Sequence, residues 1–263
     1  MQPMPEETIL TSREGGVLTL TLNRPAAFNS FTRPMAALLH EALDRAASDD
    51  NVRCVVLTGM GKAFCAGQDL KEVTAEDAPP LEDIVEGTYN TAVRKMRALP
   101  KPIIAAVNGV AAGAGANIAL AADLCVAASG AKFIQAFSKI GLIPDSGGTW
   151  MLPRLIGLQR ATALAYFGTP VSARDAEAMG MIHRAIDAEE FEQEVHSMAS
   201  KLAAMPTRGL ALTKEAFNRG FEQGLESQLD VERELQAAAS RTEDYREGVA
   251  AFLEKRQPNF RGH

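Results

Sequence analysis

An apolar strand that runs straight into a glycine-rich turn constrains this chain more than any other feature. Ile103–Val107 is a continuous apolar run, and Gly109-Val110-Ala111-Ala112-Gly113-Ala114-Gly115 follows it almost at once. Residues 116–122 are small and apolar and read as a buried helix. The backbone of such a turn can approach a neighbour closely, and the N–H groups that open a helix have no intrahelical partner. A strand, glycine turn and helix in this order suit a ligand that carries negative charge. The same glycines suit close helix–strand packing, and the local sequence leaves both readings open. A second turn, Pro144-Asp145-Ser146-Gly147-Gly148, places a carboxylate 28 residues after Asn117. Backbone donors that hold an oxyanion, with a carboxylate that moves a proton, are the minimum equipment for enolate chemistry. Asp145 also has a plainer reading, as the N-cap of a helix over 146–152.

The strand–loop–helix unit recurs along the chain. Val17–Leu22 alternates Leu with Val and Thr and reads as a strand, ended by Asn23-Arg24-Pro25. Thr32 caps a helix reaching about Ser48, with Met35, Leu38, Leu39, Ala42 and Leu43 on its apolar face. Residues 54–57 are apolar throughout, as in a strand buried on both faces, and feed the glycine-bearing loop 58–70. Segment 71–86 is acidic, contains Pro79-Pro80 and reads as a mobile surface stretch over the exit of that loop. A helix over 84–99 follows. Strands alternating with helices predict an α/β fold with a largely parallel sheet. From about Leu158 helical periodicity dominates, over 160–167, 173–179, 189–204, 207–220, 225–239 and 245–256, with one apolar piece at 181–186. The expected organisation is a core over 1–195 and a helical C-terminal region over 196–263, without a low-complexity linker.

Composition removes several function classes. With 46% hydrophobic and 23% charged residues the chain is globular. A net charge of −6 and the lack of any basic stripe argue against nucleic acid as a partner. His40, His183, His196 and His263 stand alone, without the spacing of a metal site. No apolar run reaches the ~18–20 residues that cross a bilayer, so no membrane association is expected. The polar, acidic start MQPMPEETIL is not a secretory signal. Cys54, Cys65 and Cys125 form no C-x-x-C pair, which fits buried thiols in a reducing cytoplasm. Cys65 sits in the glycine-bearing loop, yet it has no paired histidine and is not expected to be a nucleophile.

Five elements in order carry a resemblance. Asn23-Arg24-Pro25, Phe64-Cys65-Ala66-Gly67-Gln68-Asp69-Leu70, Asn108-Gly109 with its glycine turn, Ile143-Pro144-Asp145-Ser146-Gly147-Gly148-Thr149, and Phe252-Leu253-Glu254-Lys255-Arg256 resemble the enoyl-CoA hydratase/isomerase (crotonase) superfamily. The likeness spans about residues 13–260. Within it, the run Ala136 to Trp150 and the ending Asp244 to Val249 resemble the branch that isomerises ring-1,2-epoxyphenylacetyl-CoA. The resemblance implies a crotonase-like spiral of ββα units with a C-terminal helical trimerisation region, assembled as a homotrimer or a dimer of trimers. It implies an acyl-CoA substrate and no separate cofactor, coenzyme A being part of the substrate.

The resemblance also assigns residues. An oxyanion hole falls on the backbone N–H groups of Gln68 and Ala114. Coenzyme A contacts fall on Ala27, Ala66, Asp69 and Leu70, with Gly113 and Phe137 beside the acyl group. Phe252 and Lys255 match positions that reach the site of an adjacent subunit, Lys255 near the 3′-phosphate; the alternative for both is a solvated terminal helix. The two glutamates with which hydratases hold water correspond here to Asn117 and Phe137. Neither is a base, so efficient hydration is not expected. Asp145 remains as acid/base, its pKa raised by an apolar pocket bearing Phe137 and Ile143. Trp150 reads as core and Asp123 as structural. The expected activity is isomerisation of a CoA thioester; the rivals are a general enoyl-CoA isomerase, an enzyme using Asp145 as nucleophile, and a hydratase.

Overall fold

The computed structural model describes residues 7–263, so the reading of the first residues as no signal lies in part outside the described residues. In chain order come β1 (Ile9–Glu14), β2 (Val17–Leu22), α1 (Arg33–Ser48), β3 (Cys54–Gly59), β4 (Ala63–Cys65), α2 (Leu70–Val73), α3 (Leu81–Ile84) and α4 (Thr91–Ala98). A π-helical turn, Val85–Asn90, joins the last two. Then follow β5 (Ile103–Val107), β6 (Val110–Ala112), α5 (Ala114–Ala121), β7 (Leu124–Ala128), β8 (Lys132–Ile134), α6 (Gly148–Ile156) and α7 (Leu158–Phe167). The rest is β9 (Val171–Ser172), α8 (Ala173–Ala178), β10 (Arg184–Ile186), α9 (Phe191–Ala203), α10 (Thr207–Gly220), α11 (Leu225–Ala239) and α12 (Glu243–Glu254).

Two sheets share the strands. The larger has the order β1-β2-β3-β5-β7-β10, parallel except for the β1–β2 edge, and the smaller has the order β4-β6-β8-β9. Each of β3, β5 and β7 is followed by a short strand of the second sheet and then by helix, which makes the spiral of ββα units. The corners between sheets are tight. A Cβ on Gly109 would stand 2.2 Å from the Lys62 carbonyl oxygen, so only glycine lets the β5–β6 corner nest on the β3–β4 corner. Asn108 stitches them, donating from Nδ2 to Gly61 O at 2.9 Å and accepting from Gly59 N at 3.1 Å.

One face of the large sheet packs on α1, α4 and α5, and the other on α9 through Phe191, Val195, Ala199 and Ala203. The expected boundary at 195 thus falls inside a helix that belongs to the core. In α1 Thr32 caps as expected, but the buried stripe is Met35, Ala36, Leu39, Ala42, Leu43 and Ala46, while Leu38 faces outward at 37% exposure. Segment 71–86 lies on the surface, with the end of α2, then α3 and the start of the π-helical turn flanking a non-helical stretch over 74–80. The apolar piece at 181–186 pairs as a strand only over Arg184–Ile186.

Asp123 ties α10 to the sheet. Its Oδ2 accepts from Lys214 Nζ at 2.9 Å and from Ile103 N at 2.9 Å, and Arg97 stands 3.5 Å from Oδ1. Lys214 also donates to Met96 O at 2.7 Å. Trp150 is half-buried, edge-on to Phe221 at 5.1 Å and covered by Arg154. Among the described residues no helix is long and apolar enough to cross a membrane.

Candidate active site

Two turns come face to face. The loop leaving β4 carries Gly67 at φ +94°, where a Cβ would lie 2.9 Å from Ala112 O and 3.6 Å from Ala114 N. A Cβ on Gly115 would lie 2.4 Å from Cys65 O. The glycines pack the turns closely, and that packing places Gln68 and Ala114 on the wall of one cavity. Among the described residues neither the Gln68 N–H nor the Ala114 N–H has a hydrogen-bond acceptor. Ala114 is the first residue of α5, where a free donor follows from helix geometry.

The carboxylate comes from the turn before α6. That helix starts at Gly148, and its cap, Gly147, makes no side-chain bond. Asp145 is therefore no N-cap, and its carboxylate is left for other work. Its main-chain oxygen accepts from Gly148 N at 2.8 Å and from Asn117 Nδ2 at 2.9 Å. Gln135 Nε2 donates to Asn117 Oδ1 at 2.8 Å, so both ends of the Asn117 amide are engaged. Gly148 packs so closely that a Cβ would fall 2.2 Å from Asn117 Nδ2. Ser146, a buried non-glycine residue at φ +51°, donates its hydroxyl to Asp145 Oδ1 at 2.8 Å. A left-handed conformation there costs about 1–3 kcal/mol, which the surrounding turn must over-determine. Burial raises the Asp145 pKa above the usual carboxylate range, against the opposing pull of the Ser146 hydroxyl.

Both turns open into one cavity of about 460 Å³. Ala66, Gln68, Leu70, Gly113, Ala114, Phe137 and Asp145 line it, so most of the residues singled out in the sequence meet there. Among the described residues Asp145 is the only carboxylate in the lining. Ile143 is a correction: it is 78% exposed and lies outside, while Ile140 and Leu142 supply the apolar wall. Ala27 and Asp69 do not line the cavity either. Asp69 instead pairs with Arg24 at 2.8 Å and caps α2 through Lys71 N at 3.0 Å. Phe252 and Lys255 lie apart from it in this chain, Phe252 at 84% exposure. Sequence reasoning missed Tyr89 and Lys139, which also line the cavity.

Cys65 is a spacer. Its sulfur accepts from Gly67 N at 3.4 Å, and burial pushes its thiol up to about 12. Iodoacetamide at pH 8 is expected to leave turnover unchanged, as a timed activity assay would show; rapid inactivation protected by substrate would make Cys65 a reacting group. A larger cavity of about 570 Å³ lies beside α10, but its ionic residues Arg97, Asp123 and Lys214 are engaged with one another. Among the described residues no cluster of His, Cys, Asp and Glu is arranged to hold a metal ion.

The chain belongs to the enoyl-CoA hydratase/isomerase family, whose model matches residues 12–263. The chain is similar to 1,2-epoxyphenylacetyl-CoA isomerase of Escherichia coli (strain K12), with 51% identity over 97% of this chain and 99% of that protein. It is 35% identical to 2,3-dehydroadipyl-CoA hydratase of the same organism, over 97% of this chain and 98% of that one. The crystal structure of enoyl-CoA hydratase from Bacillus anthracis matches with a TM-score of 0.93 at 34% identity, covering 98% of this chain and 100% of that chain.

Proposed function

We propose that this protein isomerises ring-1,2-epoxyphenylacetyl-CoA to the seven-membered oxepin-CoA, and also shifts the double bond of 3-enoyl-CoA to the 2 position. The observation that carries this reading is the placement of a single carboxylate, Asp145, in the cavity onto which Gln68 and Ala114 open. The thioester oxygen is held by the two backbone N–H groups while Asp145 takes a proton from the carbon beside the thioester. The enolate charge then rests on the oxygen, where each donor lowers the barrier by about 3–4 kcal/mol. Asp145 returns the proton farther along, to the chain in the double-bond shift and, in the epoxide reaction, to the ring, where the carbon–carbon bond beneath the epoxide oxygen breaks and leaves that oxygen within the seven-membered ring. One base beside one oxyanion hole serves both.

The likeness to the Escherichia coli isomerase supports the epoxide as substrate, and the apolar wall of Phe137, Ile140 and Leu142 suits an aryl group. Asn117, engaged at both ends, and Phe137 weigh against activation of water. Coenzyme A is bound along Ala27, Ala66, Asp69 and Leu70. The exposed apolar side chains Phe217, Phe221, Leu225, Phe252 and Leu253 fit burial in a trimer or a dimer of trimers, which brings Phe252 and Lys255 to a neighbouring site in the cytoplasm.

The test is turnover of epoxyphenylacetyl-CoA, 3-enoyl-CoA and 2-enoyl-CoA by the purified protein. Isomerisation of the first two with little hydration of the third is the expected result. Turnover of 3-enoyl-CoA alone leaves a general enoyl-CoA isomerase, and rapid hydration of 2-enoyl-CoA defeats the assignment.

A further inference from the structure

The side chain of Gln68 is clamped, and the clamp comes from an irregular turn. Val85–Asn90 is π-helical, an uncommon form that recurs at functional sites. It carries Tyr89, whose ring is 2% exposed and stands edge-on to Phe31 at 6.0 Å. The Tyr89 hydroxyl donates to Gln68 Oε1. The other end of the same amide, Gln68 Nε2, donates to Phe31 O and to Glu72 Oε2, each at 3.3 Å. Phe31 in turn holds the loop on both sides of Gln68, its N–H donating to Gly67 O at 2.7 Å and its carbonyl accepting from Asp69 N at 2.9 Å. From the far side, His40 Nε2 contacts Thr88 O of the π-helical turn at 3.0 Å.

We infer that Tyr89 is a positioning residue, which fixes the direction of the Gln68 backbone N–H by holding the Gln68 side chain from the π-helical turn. The inference rests on the reading of Gln68 as an oxyanion donor. A free N–H on a glycine-flanked loop points wherever the loop takes it, and the adjoining Gly67 at φ +94° offers little stiffness of its own. Phe31 pins the main chain on either side, and the side-chain clamp adds a hold on the residue that supplies the donor itself. An oxyanion hole acts by preorganisation, so a small misdirection is felt in the rate and little in binding. The phenol stays protonated, since burial raises its pKa, and so remains a donor throughout the working pH range.

Cinnamoyl-CoA is the probe. Its α- and β-hydrogens are vinylic and the next carbon is a ring carbon without hydrogen, so it offers no acidic proton to transfer and binds without isomerising, and hydrogen bonds to its thioester oxygen move its absorption band to longer wavelength. Wild-type protein is expected to shift the band. Tyr89→Phe, which keeps the ring on Phe31, is expected to lose at least half of that shift and to lower kcat about tenfold with KM within about twofold. Gln68→Leu, which leaves Tyr89 in place, is expected to lose the same shift, and adding Tyr89→Phe to it changes nothing more. A Tyr89→Phe protein with the wild-type shift and kcat overturns the inference alone. If Tyr89→Phe fails to fold by circular dichroism, Gln68→Leu decides, and a wild-type shift there overturns the clamp. Absence of any shift in the wild type removes the oxyanion reading, and the clamp with it.

Discussion

Asp145→Asn is expected to lower kcat for both isomerisations by about 100-fold or more while KM stays within about twofold. The amide keeps the size of the side chain and still accepts the Ser146 hydroxyl, so what is lost is the base. Two pH experiments separate this from a structural effect. In the wild type, kcat/KM climbs as Asp145 gives up its proton, and that limb lies above the usual carboxylate range because burial raises the pKa. The limb vanishes in Asp145→Asn. Stability moves the other way. A carboxyl whose pKa is raised by folding stabilises the fold fully below its unfolded pKa, and this contribution fades as pH rises through the folded one. Above its folded pKa the wild type carries a desolvated charge that Asn lacks. The variant is therefore expected to melt at the same temperature as the wild type or higher at pH 7, with the gap closing toward acid. A lower melting temperature together with lost activity would make Asp145 a structural residue.

Asp123→Leu is expected to cost about 3–5 kcal/mol, because it leaves Lys214 charged, nearly buried and without its counter-ion. In a chain of this length each kcal/mol lowers the melting midpoint by about 2–4 °C. The substitution also orphans the Ile103 N–H at the head of β5. Adding Lys214→Met is expected to recover much of the loss, since removing both charges is far cheaper than removing one. The deficit of Asp123→Leu also shrinks at high pH, where a neutral Lys214 needs no partner. Thermal melts of both variants and their combination check this; single substitutions that add in the double would show that the pair is not coupled.

The donor turn was legible because its parts are consecutive. An apolar run, three glycines and a stretch of alanines declare a strand, a close approach and a buried helix without reference to anything distant. Asp145 was legible as a carboxylate inside a glycine turn, yet its helix begins at Gly148 rather than at 146, because Ser146 and Gly147 both take positive φ. No local pattern reports that. The strands of the small sheet have two or three residues each, too few to show a period. Tyr89 was hidden twice over. Its partner Gln68 is 21 residues away, and a π-helical turn rotates every later side chain away from the face that a period of 3.6 assigns. The same difficulty placed Ile143 in the pocket, whereas the 3₁₀ turn Ala136–Ile140 and the left-handed Gly141 present Ile140 and Leu142 instead.

The glycine contacts have a consequence for how such a protein can change. At Gly59, Gly109, Gly115 and Gly148 a single methyl group would collide with backbone or with the engaged Asn117 amide at 2.2–2.4 Å. Variation at these positions is screened out by folding before it can alter chemistry. The cavity wall from Leu70 to Leu81 and at Ile140 and Leu142 is half-exposed or exposed and meets no such barrier. Mutational drift therefore reaches the acyl group freely and the reacting atoms hardly at all. A library meant to change which thioester is accepted belongs in those two stretches, with the four glycines left alone.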